Sequence, residues 1–481
     1  MQYLALSFGL ALPWLFGFLL LCALDWPRPA AGATAAEGGG ATAMRLGYGF
    51  LLGVLLLTLW MRLESAAGLT FGRISIGAPL VIASAALAVW VARRDGISLR
   101  FARQALTILL RPPLPRWQRY AWTLLLAWLG LRFASLAAEV AWRPLFPWDA
   151  WVEWATKARV WYELGRIVPF VHADAWLSGA GGAYFDAAPD YPATVPLLQV
   201  WSCIALGRWD DSAMNWPWLL MLLALTLAVY GSLRDAGLSL LGALVGAYLV
   251  ASLPLLDVHV ALAGYADLLM ACVYTLAVLA FYRWTRYRDR KDGAVALLFA
   301  LACPLVKIPG MAWALTLVPG VVAALLPRHG LRIVAIGFGV VALALLALAQ
   351  FDAHILDYRL HLEYRPSWQS LLQAFFFFGN WHLLWYAVIA LALVGARRLV
   401  AAPLAPLAMV AAAALGFLGV AFAFTNVSLW VENFSTVNRA TLHAAPLLVC
   451  LCVLLWHELA RPQGATPTVT AATATLSAAD A

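Results

Sequence analysis

Apolar runs close to 20 residues long recur from one end of this chain to the other, and no other feature restricts its fold as tightly. About 20 apolar residues are enough to cross the roughly 30 Å hydrocarbon core of a bilayer as a helix. Inside that core each backbone amide must be satisfied within the structure itself, and runs of this length do so as helices. The expected fold class is all-α, a polytopic transmembrane helical bundle of about thirteen spans with a helical outer-face loop after the fourth span.

Composition enters as a check. Of 481 residues, 12% are charged and 64% hydrophobic, where a soluble domain carries about 25% charged residues. That balance excludes a soluble cytosolic enzyme, a nucleic-acid-binding protein and a secreted disulfide scaffold. The six cysteines, Cys22, Cys203, Cys272, Cys303, Cys450 and Cys452, all fall in apolar stretches without a Cys-x-x-Cys pair or a His cluster, and read as small core residues.

The net charge of +8 comes from arginines in short loops beside the apolar runs, where positive charge sets orientation. The run at about 4–24 is expected to be a retained span, since no Lys or Arg precedes it and it is long for a signal peptide. Spans follow at roughly 46–63, 75–92 and 120–142. The loop before the last of these carries Arg93, Arg94, Arg100, Arg103, Arg111, Arg116 and Arg119 against a single Asp95, which places it in the cytoplasm. The long polar stretch 143–193 then emerges on the outer face. The apolar piece 194–207 covers about 21 Å, too little for a full crossing, and reads as a partial or interfacial helix.

Spans near 213–231, 240–256 and 265–282 put the run Arg283, Arg286, Arg288, Arg290 and Lys291 inside. A hairpin at 294–326 bends at Lys307-Ile308-Pro309-Gly310, and spans near 332–350, 380–396, 401–424 and 440–457 complete the set. Three regions result: extra N-terminal spans with a basic cytoplasmic loop (1–119), a transmembrane core with its outer loop (120–457), and an Ala- and Thr-rich cytoplasmic tail expected to be disordered (458–481).

Polar chemistry collects in the outer loops. In Pro147–Lys157, read as a helix, Trp148, Trp151 and Trp154 recur every three residues on one face, and Asp149, Glu153 and Lys157 every four on another. This describes an interfacial amphipathic helix. Asp149 is either its cap or a reactive carboxylate, and Glu153 and Lys157 are either an i,i+4 pair or site groups. Only three lysines occur in the chain, and Lys307 lies within an apolar hairpin, where a cation costs roughly 2.5–3.5 kcal/mol unless it pairs or faces a cavity. It either lines a site or snorkels to the interface. Asp267 opens a span and needs a partner across the bundle. Arg439, with His443 one turn later, either binds an anion or anchors the last span.

Several of these pieces together resemble a family. They are the carboxylate of the first long outer loop, the segment Asp190-Tyr191-Pro192-Ala193-Thr194-Val195-Pro196-Leu197-Leu198 followed by Gly207, then Gly264-Tyr265-Ala266-Asp267-Leu268-Leu269, Lys307-Ile308-Pro309-Gly310, and Asn438-Arg439 to Pro446. In this order they resemble the GT-C superfamily of integral-membrane glycosyltransferases, in the branch of protein O-mannosyltransferases and lipid A aminoarabinose transferases, over about residues 120–457. Those enzymes usually carry two acidic residues adjacent or nearly so in the first outer loop. Here Asp149 stands beside Ala150, with Glu153 four away, and three spans precede the family's first.

The resemblance implies a polyprenyl-phosphate-linked sugar as donor and a lipid, glycan or protein hydroxyl as acceptor, with inversion at the anomeric carbon. Asp149 would be the base and Glu153 its alternative. Lys157, Asp190, Asp267, Lys307, Arg439 and His443 would bind substrate. Some relatives use a divalent metal, for which His259 and Asp267 are the candidate ligands. The Ala- and Arg-rich usage points to a bacterial inner membrane with the site facing the periplasm. Two other functions fit a chain of this kind. A flippase for a lipid-linked sugar would show matching broken helices in two halves, and no internal repeat is present. A polysaccharide polymerase or ligase using a polyprenyl-diphosphate donor would concentrate Arg and His in a late outer loop, and loop 351–379 holds His354, Arg359, His361, Glu363 and Arg365.

Overall fold

The computed structural model of the chain describes residues 1–28, 35–95, 107, 109–179, 182, 184–348, 353–355, 358–360 and 362–461. Arg100 and Arg103 of the basic loop, the side chains of His354, Arg359 and His361, and residues 462–481 of the expected tail lie outside them. Residues 458–460 belong to the last helix rather than to a tail.

Apart from a short antiparallel hairpin, Ala353–Ile355 with Tyr358–Leu360, the regular elements are helices. Eight are long and apolar enough to cross a membrane: Gln2–Ala23, Gly39–Ala66, Arg73–Asp95, Arg116–Trp142, Ala213–Asp235, Asp267–Tyr287, Gly330–Leu348 and Ala405–Phe424. Two bent pairs, Leu240–Ala251 with Pro254–Ala261 at 58° and Ser435–Leu442 with Ala445–Ala460 at 51°, raise the count to ten. The chain is thus a helical membrane-protein bundle, and by length and composition the described residues do not reach the expected thirteen spans. The difference lies in Arg290–Val306, Gly310–Leu325 and Leu384–Val394, which are helical where spans were expected but short.

The helix Asp267–Tyr287 is the axis of the bundle. Every residue from Asp267 to Arg283 is buried, as expected of a helix that is apolar on all sides and surrounded by others. Its two ends are polar. At one end Arg283 Nε meets Asp292 Oδ1 at 2.9 Å, and Trp26 Nε1 donates to the same oxygen at 2.6 Å. At the other, about 24 Å away at 1.5 Å per residue, stands Asp267. By contrast, Gly330–Leu348 is almost wholly exposed and presents its apolar surface to lipid.

Helices Gln2–Ala23 and Gly39–Ala66 pack through backbone contact. A Cβ on Gly53 would fall 1.9 Å from the Pro13 carbonyl oxygen, and one on Gly17 would fall 2.0 Å from that of Gly49. Small residues permit this approach, which dispersion and close fit reward in lipid. The helix Thr194–Leu206 is shorter than a span, as its length predicted, but it is not interfacial: all its residues except Ile204 are buried. Trp201 Nε1 donates to the Gly9 carbonyl at 2.8 Å, and Thr194 Oγ1 donates to that of Leu305 at 2.6 Å. Enclosure by protein, rather than by headgroups, is what lets a 13-residue helix lie there.

Candidate functional site

Asp267 owes its position to the turn before it. Gly264 has φ +106, in the left-handed region open to glycine, and a Cβ there would come within 2.7 Å of Ala150 Cβ. The turn is pinned by Trp218, whose Nε1 donates to the Tyr265 carbonyl at 2.9 Å. Asp267 then opens the axial helix fully buried, in the first turn, where the helix dipole favours a negative charge.

Three donors converge on its carboxylate. Lys307 Nζ reaches Oδ1 at 2.6 Å, His443 Nε2 reaches the same oxygen at 2.9 Å, and Arg439 Nε reaches Oδ2 at 2.9 Å. Each comes from a break in a helix. Lys307 ends Arg290–Val306 in extended backbone, φ −155 and ψ 145, just before the next helix starts at Gly310. Arg439 lies on the short helix Ser435–Leu442, and His443 lies at its bend into Ala445–Ala460. A fully buried carboxylate is retained only when paired and hydrogen-bonded, and charge-assisted bonds of this kind are the strong ones. Lys307 therefore pairs within the bundle, with 11% of its side chain exposed, rather than snorkelling away from it.

Arg439 extends the cluster. Its Nη1 donates to Asp149 Oδ2, and its guanidinium lies 4.4 Å from the Tyr265 ring centroid, a cation–π distance. Asp149 makes no capping bond to the helix that follows it. Two carboxylates and two cations thus form one ion cluster at the head of the bundle, with the side chains of Asp149 and Arg439 each 24% exposed.

The segment after Asp149 is not an ordinary α-helix. Ala150–Ala155 forms a π-helix, a form frequent at functional sites, before α-helix resumes at Thr156–Leu164. Its wider turn breaks the three-residue alignment expected for the tryptophans. Trp148 and Trp151 remain exposed neighbours at 5.3 Å, while Trp154 is buried and stacks on Tyr191 at 5.2 Å with the rings 2° from parallel. Nor do Glu153 and Lys157 pair. Lys157 Nζ donates to the Ala188 carbonyl and lies 3.4 Å from Asp186 Oδ1, with both side chains almost fully buried. Burial pushes the Lys157 ammonium down and the Asp186 carboxyl up, each partly offset by the other's charge.

Glu153 is left half-buried, and among the described residues it has no hydrogen bond or ion pair. Burial, then the charge of Asp149, raises its carboxyl to about 7, although Arg439 and Lys307 pull the other way.

The structure thus brings together Asp149, Asp267, Lys307, Arg439 and His443, with Glu153 beside them. It does not bring in Lys157, which pins the loop, or Asp190, which is 79% exposed and 3.3 Å from His172. His259 packs near Tyr265, with Nδ1 2.8 Å from the Leu255 carbonyl oxygen. Of the two expected metal ligands, Asp267 has both oxygens taken by Lys307, Arg439 and His443, while His259 keeps a buried Nε2 without a hydrogen-bond partner among the described residues; no group of three His, Cys, Asp or Glu side chains fit for a metal occurs among them. Tyr265, Asp186 and Tyr191 were not singled out as site residues. Tyr265 and Tyr191 lie inside the quoted motifs, whereas nothing in the local pattern marks Asp186. The chain matches no protein-family model, no curated protein and no solved structure.

Proposed function

We propose that the chain is an integral-membrane glycosyltransferase that moves a sugar from a polyprenyl-phosphate donor to an acceptor hydroxyl, with inversion, at the outer face of a bacterial inner membrane. One observation carries the reading: Arg439, tied to buried Asp267 and to Asp149, lies with Lys307 at the head of the bundle beside an unpaired carboxylate, Glu153. A cation pair at membrane depth suits a lipid phosphate, and a half-buried carboxylate near neutrality suits a proton acceptor.

The acceptor oxygen attacks the anomeric carbon while the bond from that carbon to the phosphate oxygen breaks. The electron pair leaves with the phosphate, whose added charge Arg439 and Lys307 stabilise in a site largely closed to water. The acceptor proton passes to a carboxylate. Of the two expected bases, Asp149 has its charge engaged by Arg439, while Glu153 has no such partner and its raised pKa matches the task. We assign the base to Glu153 and give Asp149 the positioning of Arg439. Asp267, with Lys307 and His443, fixes the same guanidinium from behind. No step runs through a metal.

The test is direct. Purified protein in detergent is incubated with a polyprenyl-phosphate sugar and an acceptor mixture from the same membranes, and release of polyprenyl phosphate is followed. Release that requires the acceptor and is lost in Glu153→Gln supports the proposal. Movement of the intact donor across vesicles, without release, would replace it with the flippase reading.

A further inference from the structure

Away from this cluster, a cavity of about 500 Å3 lies between the helices Gly39–Ala66, Arg116–Trp142, Ala213–Asp235 and Leu240–Ala251. Its volume falls within the roughly 300–1,000 Å3 of ligand pockets. The walls are apolar, with Leu46, Leu126, Phe133, Leu223 and Leu244 among them. Thr226, one of the few polar groups there, spends its hydroxyl on the Leu222 carbonyl at 2.7 Å. Nothing on these walls asks for a sugar or a peptide; they suit a hydrocarbon chain.

The cavity exists because Arg116–Trp142 stands off from the bundle. That helix is mostly exposed and is held by a small separate cluster of Trp122, Leu129, Leu240, Leu244 and Ala251. Gly130 faces open space, and a Cβ added there meets nothing within 4 Å.

Leu109 and Trp122 line part of the cavity, joined by a 3.0 Å bond from Trp122 Nε1 to the Leu109 carbonyl, and the chain beside them is strongly basic, with the exposed Arg111, Arg116 and Arg119 close to them in sequence. No Asp or Glu occurs between residues 107 and 138. Basic pockets between transmembrane helices suit anionic lipid headgroups. We propose that this cavity holds an acyl chain of an anionic glycerophospholipid from the leaflet at the arginine end, with the headgroup phosphate on Arg111, Arg116 and Arg119. This is a different place from the ion cluster. Arg132, on the same helix, pairs with Asp257 on the Pro254–Ala261 helix that leads into the Asp267 turn, and Arg119 lies 13 residues earlier, about 20 Å along the axis.

The experiment is lipid retention by the full chain. Protein exchanged into detergent with equimolar phosphatidylglycerol and phosphatidylcholine is examined by native mass spectrometry. One phosphatidylglycerol should remain on the wild type, with phosphatidylcholine retained about tenfold less. Gly130→Phe, which fills open space without a steric clash at Cβ, should cut retention about tenfold. The triple variant Arg111→Gln, Arg116→Gln, Arg119→Gln, altered only at exposed positions, should abolish the preference for the anionic lipid. Equal retention of both lipids by wild type overturns the proposal. Unchanged retention in Gly130→Phe overturns it too, and means that the retained lipid sits elsewhere on the protein.

Discussion

Lys307 and Asp267, 40 residues apart in the chain, meet at 2.6 Å at the head of the bundle, and the carboxylate of that pair is fully buried. Removing one member of such a pair costs about 3–5 kcal/mol because it leaves the other charge uncompensated. Asp267→Asn leaves Lys307 without a carboxylate and Arg439 with Asp149 alone, and should lower stability by about that amount, read as a fall in the unfolding midpoint in detergent. Adding Lys307→Met to Asp267→Asn should recover part of the loss. A double variant as unstable as the sum of the two single ones would mean that the two residues do not interact.

Lys307→Gln asks a different question, because Asp267 keeps Arg439 and His443 as partners. The fold should survive while donor binding weakens by about 1.5–3 kcal/mol, the worth of a hydrogen bond to a charged group. Binding of the polyprenyl-phosphate sugar to the detergent-purified variant measures it. Unchanged affinity would place the phosphate elsewhere.

The fold was legible wherever a run of one polarity was long. Each helix long and apolar enough to cross a membrane among the described residues lies on an apolar run marked in the sequence, because length and hydropathy are what a crossing helix needs first. The bend at Lys307–Gly310 was legible from its Pro, Gly and stranded cation. What could not be read was local geometry set by distant parts. Ala150–Ala155 is a π-helix packed against Gly264, more than 100 positions away, and helical periodicity misplaced Trp154 within it. Likewise helical spacing sets Lys157 on one face with Asp149 and Glu153, and Asp186, from the far side of the loop, claims it. For the ion cluster, the cost of burying charge marked Asp267 and Lys307, and its place at the start of the last span marked Arg439, but only the fold could pair Arg439 with Asp149.

The loop carrying Asp149 is fastened by the Lys157–Asp186 pair, whose side chains are 1% and 0% exposed. Lys157→Met leaves Asp186 buried without a cation and should open residues 143–193 to limited proteolysis. Lys157→Met combined with Asp186→Leu should restore protection, since an apolar pair of similar volume is often neutral or better. Continued sensitivity in the double variant would show that the pair does more than fasten the loop.

Sidedness has its own test. Arg119 lies in the first turn of the helix Arg116–Trp142 and His172 is exposed in the loop that follows its other end, and the charge bias assigns the arginines to the cytoplasm. In intact cells, His172→Cys should react with an impermeant maleimide and Arg119→Cys only after permeabilisation. The reverse pattern would invert the orientation and move the proposed reaction to the cytoplasmic face.

The last prediction concerns the proton. Glu153 can accept one only when ionised, and its pKa of about 7 is set chiefly by burial and by Asp149. The transfer rate should therefore rise with pH through about 7 and level off above it. Glu153→Gln keeps the shape of the side chain but removes the accepting charge, and should lower the rate by about 10²-fold or more, with the step near pH 7 abolished. Asp149→Asn weakens the hold on Arg439 and removes a neighbouring negative charge, so it should lower the rate less and move the pH midpoint down. An unmoved midpoint would mean that the charge of Asp149 does not act on the group that titrates. If Glu153→Gln transfers normally and Asp149→Asn is inactive, the base is Asp149, released from Arg439 when the donor phosphate takes the guanidinium.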